Sequence, residues 1–438
     1  MRDSYAEVIA FTGSSAMRIA IVGINYAPEP TGIPVYTTGL AEFLASQGHE
    51  VTVYTGFPHY PRWSKNPGDQ YRLFRNESIN GVAVRRHYVY VPKHPSALRR
   101  IPHELSFVLS GSIGYLFGPR ADFTIIISPP LFTGIPVGII ARLKGSRTLF
   151  HVQDLQPDAA VDLGMLKPGK LVSLFFLLEK ITYRLVDFVS SISDGMVSRI
   201  ASKGVPARKL SLFRNWAHDN LITPMSSDTR FRREWNLQDK FVVLYSGNMG
   251  VKQGLDSVLQ AASALQQHKD VVFLIVGDGG EKPALVARAD AMKLTNVQFQ
   301  PLQSMEQLSE LLATADVAII PQKPGVKDIV LPSKIGNLLA SGRPVIAAAE
   351  AGTEFGRIVL ESGCGVLVEP GNGGHIASAI LELRNVPDNR TRMGDSGRRY
   401  MEVQLSGAAI LHSMNRRIEA MMAPGLKSPA AAWAPIRK

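Results

Sequence analysis

Short apolar runs alternate along this chain with longer segments in which apolar residues recur at helical spacing. The first apolar run spans residues 18–23, and Tyr36, Leu40 and Leu44 then mark one face of a helix. A second run at 51–55 completes a strand–helix–strand unit, which implies a parallel pair because the helix crosses the sheet. The further strands predicted in this half are 82–86, 123–128, 148–152 and 188–192.

The same alternation restarts after about residue 220. The strands predicted in the second half are 241–246, 271–276, 297–299, 317–321, 345–349 and 366–368. This rhythm predicts an α/β chain with two doubly wound, Rossmann-like domains. Ligands of such sheets bind outside the carboxyl ends of the strands, so the cleft between the two domains is the expected site.

The predicted organisation has four parts. They are an N-terminal extension at 1–16, a first domain at 17–220, a second domain at 221–405, and a C-terminal helix with an Ala/Pro-rich tail at 406–438. A length of 438 residues also favours two domains, since a single hydrophobic core rarely grows so large.

Composition narrows the function classes. The chain is 45% hydrophobic and 19% charged, values typical of globular proteins rather than disordered ones. Its net charge is +11, of which residues 1–220 carry most. A basic first half suggests an anionic partner, either membrane lipid or a phosphorylated acceptor, because the sequence contains no nucleic-acid-binding module.

Cysteine usage and apolar run lengths favour a cytoplasmic location. The one cysteine, Cys364, excludes an internal disulfide and is expected to be structural. The N-terminus lacks a signal-peptide pattern, and no apolar run reaches the length of a spanning helix. Segments 98–118 and 167–184 combine apolar faces with cations. Each fits a membrane interface or a helix packed on the sheet with snorkelling cations, and both interpretations stay open.

Three loops have the composition of ligand-binding turns. Ser333 and Lys334 open a short helix that Gly342 ends, so free amides and a cation would meet an anion there. The loop after the 241–246 strand carries glycines that allow close backbone approach, and Lys252 could neutralise a phosphate. The remaining candidates in these loops are Gly247, Asn248, Gly250, Gly277, Asp278 and Gly279. Taken alone, each loop also fits an ordinary tight turn.

His151 and Asp154 follow a predicted strand of the first domain. At that sheet edge they could orient a sugar or assist proton movement, although a lone histidine is often structural. The sequence contains no Asp-x-Asp, no histidine pair at metal spacing and no Gly-x-Ser-x-Gly, so metal-dependent or serine-hydrolase chemistry has no support.

Taken together, these motifs resemble glycosyltransferase family 4, in particular its colanic-acid-type exopolysaccharide enzymes. The segments that carry the resemblance are 25–34, 247–250, 277–280, 331–334 and 340–344, in family order from about residue 17 to 417. The resemblance implies a GT-B fold and retaining transfer of a sugar from a nucleotide-sugar donor without a metal or other cofactor. It makes the first domain the acceptor side and the second the donor side.

The resemblance also assigns residues. The catalytic candidates are His151, Asp154, Lys252 and Lys334. The donor-binding candidates are Thr31, Gly32, Gly247, Asn248, Gly250, Gly277, Asp278, Gly279, Pro332, Ser333, Lys334 and Asn337. The chain departs from the family pattern at two places: Gln253 stands where the usual loop lysine would be, and Ile329 and Asn337 occupy the positions of the family's two glutamates.

The implied partners are a nucleotide sugar, with GDP-fucose as first candidate, and a polyprenyl-diphosphate-linked or oligosaccharide acceptor at the inner-membrane surface. Two alternatives remain. A nucleotide-sugar 2-epimerase would share the fold and need no acceptor, and a non-catalytic scaffold that binds polysaccharide precursors would explain the missing glutamate pair.

Overall fold

The computed structural model describes residues 16–30, 32–94, 96–162, 169–217, 222–325 and 334–423. Within these ranges the chain forms two twisted sheets with helices on both faces of each. The expected architecture of two doubly wound domains is therefore confirmed.

The first sheet has eight strands in the order β3-β4-β2-β1-β5-β6-β7-β8. They are β1 (Arg18–Val22), β2 (Glu50–Gly56), β3 (Phe74–Ile79), β4 (Val82–His87), β5 (Phe123–Ser128), β6 (Arg147–Val152), β7 (Phe188–Ser191) and β8 (Leu210–Leu212). All neighbours are parallel except β3 and β4. Sequence analysis missed β3 and β8. Asn80 and Gly81 both have positive φ, the Asn-Gly hairpin turn that could have revealed β3.

Helices cover both faces of this sheet. They are α1 (Ile33–Ser46), α2 (Ala97–Phe117), α3 (Gly134–Leu143), α4 (Gln156–Asp162), α5 (Lys170–Leu185) and α6 (Asp194–Ser202). Alternate residues of β1 point to opposite faces: Ala20 and Val22 join the core under α2, α3 and α6, whereas Ile19 and Ile21 pack with α1. Strands buried on both faces read as continuous apolar runs, which is why the sequence predicted most of them.

The second sheet has six parallel strands in the order β11-β10-β9-β12-β13-β14. They are β9 (Phe241–Ser246), β10 (Val271–Val276), β11 (Val297–Gln300), β12 (Val317–Pro321), β13 (Val345–Ala348) and β14 (Gly365–Val368). Its helices are α7 (Arg230–Glu234), α8 (Asp256–Ala264), α9 (Lys282–Ala291), α10 (Leu308–Ala313), α11 (Lys334–Ala340), α12 (Glu354–Ser362), α13 (Gly373–Asn385) and α14 (Pro387–Gln404). Cys364 is buried beside this sheet, as expected of a structural thiol, and burial raises its pKa to about 11.

The last helix, α15 (Gly407–Met422), returns to the first sheet. Met414, Ile418 and Met421 lie in the same core as α1. Where the chain crosses between the two halves, the Ala217 amide donates to the Leu405 carbonyl over 2.9 Å. The C-terminal helix thus ties the second half back onto the first.

Each sheet has a topological switch point, where the chain order reverses. In the first sheet it falls between β1 and β5, and in the second between β9 and β12. Loops leaving neighbouring strands diverge there and open a crevice at the carboxyl edge. The switch points therefore position the loop at 23–30 and the loop at 247–255 as the primary candidates for ligand binding. Among the described helices, none combines the length and apolar character needed to cross a bilayer.

Candidate functional site

The loop after β9 is shaped by contacts that only glycine permits. Gly247 has a φ of 130°, and its amide donates to the Val276 carbonyl over 2.9 Å. The phenol of Tyr245 donates to the Asn248 carbonyl over 2.5 Å, which fixes the next turn of the loop. These two hydrogen bonds fix the conformation of the 247–250 segment at the edge of the sheet.

Lys334 lies against this loop. Its Nζ is 3.8 Å from the centroid of the Tyr245 ring, and a Cβ on Gly247 would approach Lys334 Cε to 2.4 Å. The residue is half-buried, whereas its amine lies deep in the crevice, and burial lowers the pKa of that amine to about 7. Among the described residues, no carboxylate offsets this burial. The crevice thus contains a buried lysine amine, whose positive charge an anionic ligand would balance.

The loop after β10 interlocks with the loop after β9. A Cβ on Gly277 would lie 2.0 Å from the Gly247 carbonyl oxygen, and one on Gly279 would lie 2.3 Å from the Met249 carbonyl oxygen. The Met249 amide donates to the Asp278 carbonyl over 2.7 Å. These glycines are required by loop–loop packing, a structural reason that the sequence did not predict.

Two side chains of the loop after β10 form hydrogen bonds with the backbone of that loop. The carboxylate of Asp278 accepts the amide of Gly279 over 2.8 Å. Lys282 donates from Nζ to the Gly277 carbonyl over 2.9 Å, a contact that the sequence analysis did not predict. Donor binding by Gly250, Gly277, Asp278 and Gly279 remains a prediction.

Lys252 and Asp154 meet across the two halves of the molecule. The Nζ of Lys252 is 4.0 Å from Oδ1 of Asp154, and both side chains are about one-third exposed. The Lys252 carbonyl accepts the Lys323 amide over 3.0 Å. This bond joins the main chain of Lys252, in the loop after β9, to the loop after β12. The structure therefore brings together two of the predicted catalytic residues, one from each domain.

His151 occupies a different environment. Its ring is 3% exposed, with Nδ1 2.9 Å from Ser190 Oγ and Nε2 2.9 Å from the Gln153 amide nitrogen. Burial lowers the pKa of the imidazole to about 4, so the ring is neutral at physiological pH. Gln153 in turn exchanges hydrogen bonds with Asn215. The structure buries the His151 ring within the first domain, and its catalytic role remains a prediction.

The first-domain loop has a rigid base. Gly32 has a φ of 79° and precedes the first turn of α1. Glu29, which is buried, accepts the amides of His59 and Tyr60 through Oε1 over 2.9 and 2.8 Å. The predicted residues Thr31, Pro332 and Ser333 lie outside the described residues. Asn337 lies in α11, one turn beyond Lys334.

Sequence reasoning missed two side chains that shape the site. The Tyr245 ring contacts Lys334, and its hydroxyl donates to the Asn248 carbonyl. In the sequence, however, Tyr245 looks like an ordinary apolar position of a buried strand. Gln153 holds the His151 ring, and only its place between two predicted residues could have suggested it. Within the described ranges, no group of three or more His, Cys, Asp or Glu side chains could hold a metal ion.

Comparisons with known proteins agree with this geometry. Residues 31–216 match the "Glycosyl transferase 4-like domain" family, and residues 227–400 match "Glycosyl transferases group 1". The chain is 39% identical over 386 residues to the putative colanic acid biosynthesis glycosyl transferase WcaI of Escherichia coli K12, covering 86% of this chain and 94% of that protein.

Two solved structures have the same fold. The sucrose-phosphate synthase of Thermosynechococcus elongatus superimposes with a TM-score of 0.74 at 18% identity, covering 92% of this chain and 99% of that one. Anabaena HepE in complex with UDP and glucose gives a TM-score of 0.69 at 14% identity, covering 92% of this chain and all of that one. The expected GT-B architecture is therefore confirmed.

Because burial disfavours the charged amine, we predict that Lys334 titrates near pH 7 in the free protein. A bound diphosphate would raise this pKa, so anion affinity should be highest below pH 7 and fall as pH rises above it. NMR of ¹³C-labelled lysine would follow the titration, with the resonance assigned by its loss in Lys334→Met. A midpoint near 10 in the free protein would contradict the prediction.

Proposed function

Because the chain belongs to the glycosyltransferase family represented by these matches, we propose that it moves a hexose from a nucleotide sugar to a lipid-linked or oligosaccharide acceptor. The product would be a bacterial exopolysaccharide of the colanic-acid type. The observation that carries the proposal is the buried Lys334 amine, set without a described counter-ion at the second switch point. A donor diphosphate is the anion that would complete this site.

The proposed chemistry is stabilisation of a leaving group. As the bond between the sugar C1 and the diphosphate oxygen breaks, negative charge grows on the nucleoside diphosphate. Lys334 lies against Gly247, Lys252 follows in the same loop, and both would share this charge. The acceptor oxygen bonds to C1 on the same face, and its proton passes to the departing phosphate oxygen. This route retains the configuration at C1 and requires no metal.

The donor is proposed to be GDP-fucose. Resemblance to exopolysaccharide fucosyltransferases supports this sugar, whereas the described residues do not distinguish guanine from uracil. HepE, which has the same fold, binds UDP. Asn337 would contact ribose hydroxyls through its amide, more weakly than a carboxylate could.

A thermal-shift panel would test the donor. GDP and GDP-fucose should raise the melting temperature, whereas UDP, ADP, dTDP and their sugars should not, and EDTA should leave the shift unchanged. A ligand at 100 times its Kd adds about 2.7 kcal/mol of stability, which such an assay detects. A shift with another nucleotide would reassign the donor. Loss of the shift in EDTA would overturn metal independence, and the absence of any shift would favour the non-catalytic alternative.

Lys334→Met should lower the rate of sugar transfer by roughly 10²-fold or more, the usual effect of removing one group that stabilises a developing oxyanion. Lys269→Met is a matched control, because Lys269 lies at the opposite edge of the second sheet and is exposed. Initial rates and melting temperatures of both variants should be compared with wild type. Near-normal transfer by a folded Lys334→Met protein would overturn the assignment.

We also propose that the protein acts at the surface of the inner membrane. Helix α3 packs between α2 and α5, and the three helices turn apolar side chains outward as one surface, here named the apolar face. Its exposed members are Leu105, Leu109, Ile113, Leu116, Phe117, Ile139, Leu143, Leu171, Leu174 and Leu177. Leu109, Phe117 and Leu143 are 66%, 81% and 80% exposed, which is unusual for side chains of this size.

Charge favours an anionic bilayer as the occupant of the apolar face. Exposed cations on α3 and α5 lie beside the apolar side chains. They are Arg142, Lys170, Lys180 and Arg184. Apolar side chains with a basic border are typical of elements that lie in the interface of anionic lipids. A surface of this kind would bring the cleft to a lipid-linked acceptor.

Vesicle flotation would test this surface. Wild-type protein should float with vesicles that contain phosphatidylglycerol and less with pure phosphatidylcholine, because the basic border adds an electrostatic contribution. Leu109→Asp and Leu143→Asp should each weaken binding at least tenfold. Leu360→Asp, at a 60% exposed leucine of α12 in the second domain, is the control and should float normally. Equal flotation of all four proteins would exclude the apolar face as the contact.

A further inference from the structure

Trp63 has an unusual backbone for a large residue. It lies in the loop after β2 with a φ of 53°, a left-handed conformation that is strained for a bulky side chain. Its ring centroid lies 5.2 Å from that of His103, 6.1 Å from His59 and 6.5 Å from Tyr60. These rings hold the indole in place, and such held strain concentrates at ligand-binding sites.

The loop that carries Trp63 is fixed from below by Glu29. Besides the amides of His59 and Tyr60, Glu29 accepts the side-chain amide of Asn25 through Oε2 over 2.8 Å. Burial raises the pKa of this carboxyl, and the hydrogen bonds oppose that effect. Glu29 therefore joins the loop at 23–30 to the loop that carries Trp63.

Arg100 lies beside the indole. Its guanidinium carbon is 5.1 Å from the centroid of the Trp63 ring, a cation–π distance. Arg100 is exposed, and among the described residues no carboxylate or carbonyl forms a hydrogen bond or an ion pair with its guanidinium. The preceding Arg99, by contrast, donates to the His94 carbonyl over 3.3 Å. Arg100 thus presents a planar set of donors to solvent next to an aromatic ring.

This pair lies at the edge of the first sheet that faces the second domain. On α2, Glu104 accepts the side-chain amide of Gln156 over 3.0 Å, and Gln156 accepts the Leu131 amide over 2.8 Å, which ties the first half of α2 to the start of α4. The charges of Arg100 and Asp154 both act on the phenol of Tyr60, whose pKa burial raises. Arg100 and Asp154 thus both lie within electrostatic range of Tyr60, and Asp154 in turn faces Lys252.

We propose that Trp63 and Arg100 bind the acceptor of the glycosyl transfer proposed above. The indole face lies under the sugar ring that receives the new bond, and the guanidinium binds the phosphate through which that sugar is carried. The inference rests on the proposed function, and it narrows the acceptor to a sugar linked to phosphate rather than a neutral oligosaccharide.

The chemistry of the pair supports this ligand. An indole offers a large, rigid apolar face to the C–H groups of a sugar at little cost in conformational entropy. A guanidinium presents a planar fork of N–H donors that matches phosphate oxygens and remains charged at every relevant pH. A neutral sugar alone would leave Arg100 without a function, and a phosphate alone would leave the strained Trp63 unexplained.

The test compares glucose and galactose on an undecyl diphosphate with the same sugars on an uncharged undecyl glycoside, measured by calorimetry below their micelle concentrations. Wild-type protein should bind the diphosphate probes at least tenfold more tightly than the glycosides. Arg100→Gln should abolish this preference and change glycoside affinity less than twofold. Trp63→Ala should weaken all probes at least tenfold, and Trp63→Phe should restore part of the loss.

Arg99→Gln is the matched control and should retain the preference for diphosphate. A preference that survives Arg100→Gln, wild-type binding by a folded Trp63→Ala protein, or no binding of any probe up to its micelle concentration would each overturn the inference. Nucleotide-sugar thermal shifts keep the two proposals apart. Arg100→Gln and Trp63→Ala should show the same increase in melting temperature with a nucleotide sugar as wild type does. A wild-type protein that binds no nucleotide sugar would instead refute the proposed function.

Discussion

The site depends on a single electrostatic constraint, the burial of the Lys334 amine without a carboxylate partner among the described residues. A buried ammonium loses its hydration, and the face of Tyr245 compensates for part of that loss. The free protein therefore carries an unfavourable term that an anion would relieve. A binding site built in this way favours multiply charged ligands over neutral ones of the same shape, because only the former remove the penalty.

Glycine makes this arrangement possible. Lys334 reaches the sheet edge because Gly247 has no side chain, and Gly247 is held there by the Val276 carbonyl. Gly277 and Gly279 let the neighbouring loop pack against the same backbone. The geometry of the crevice is thus set by backbone contacts before any ligand arrives, so little reorganisation is needed when charge develops.

The fold and the site differ in how much the sequence could predict. Parallel strands buried on both faces produce long apolar runs, and nearly all of them were found. The β3 strand alternates exposed and half-buried residues, so it lacks that signal. The positions of Lys252 and Lys334 at the sheet edge followed from their loops.

The contacts that the sequence did not predict have physical reasons. The orientation of His151 could not be inferred, because whether the side chain of a strand residue faces the cleft or the core depends on tertiary packing. The partners of Gly277 and Trp63 come from other loops, and their contacts leave no periodic pattern along the chain. Local spacing thus places a residue at the edge of a sheet, whereas its neighbours across that edge depend on the fold.

The Asp154–Lys252 pair connects the two halves of the site. At 4.0 Å and with both side chains about one-third exposed, such a pair contributes only about 0–1 kcal/mol, so an arriving diphosphate can replace Asp154 as the partner of Lys252 at small cost. The carboxylate so released would lie on the acceptor side, where its charge acts on Tyr60 beside Trp63 and Arg100. Occupation of the second domain would therefore change the charge balance of the first.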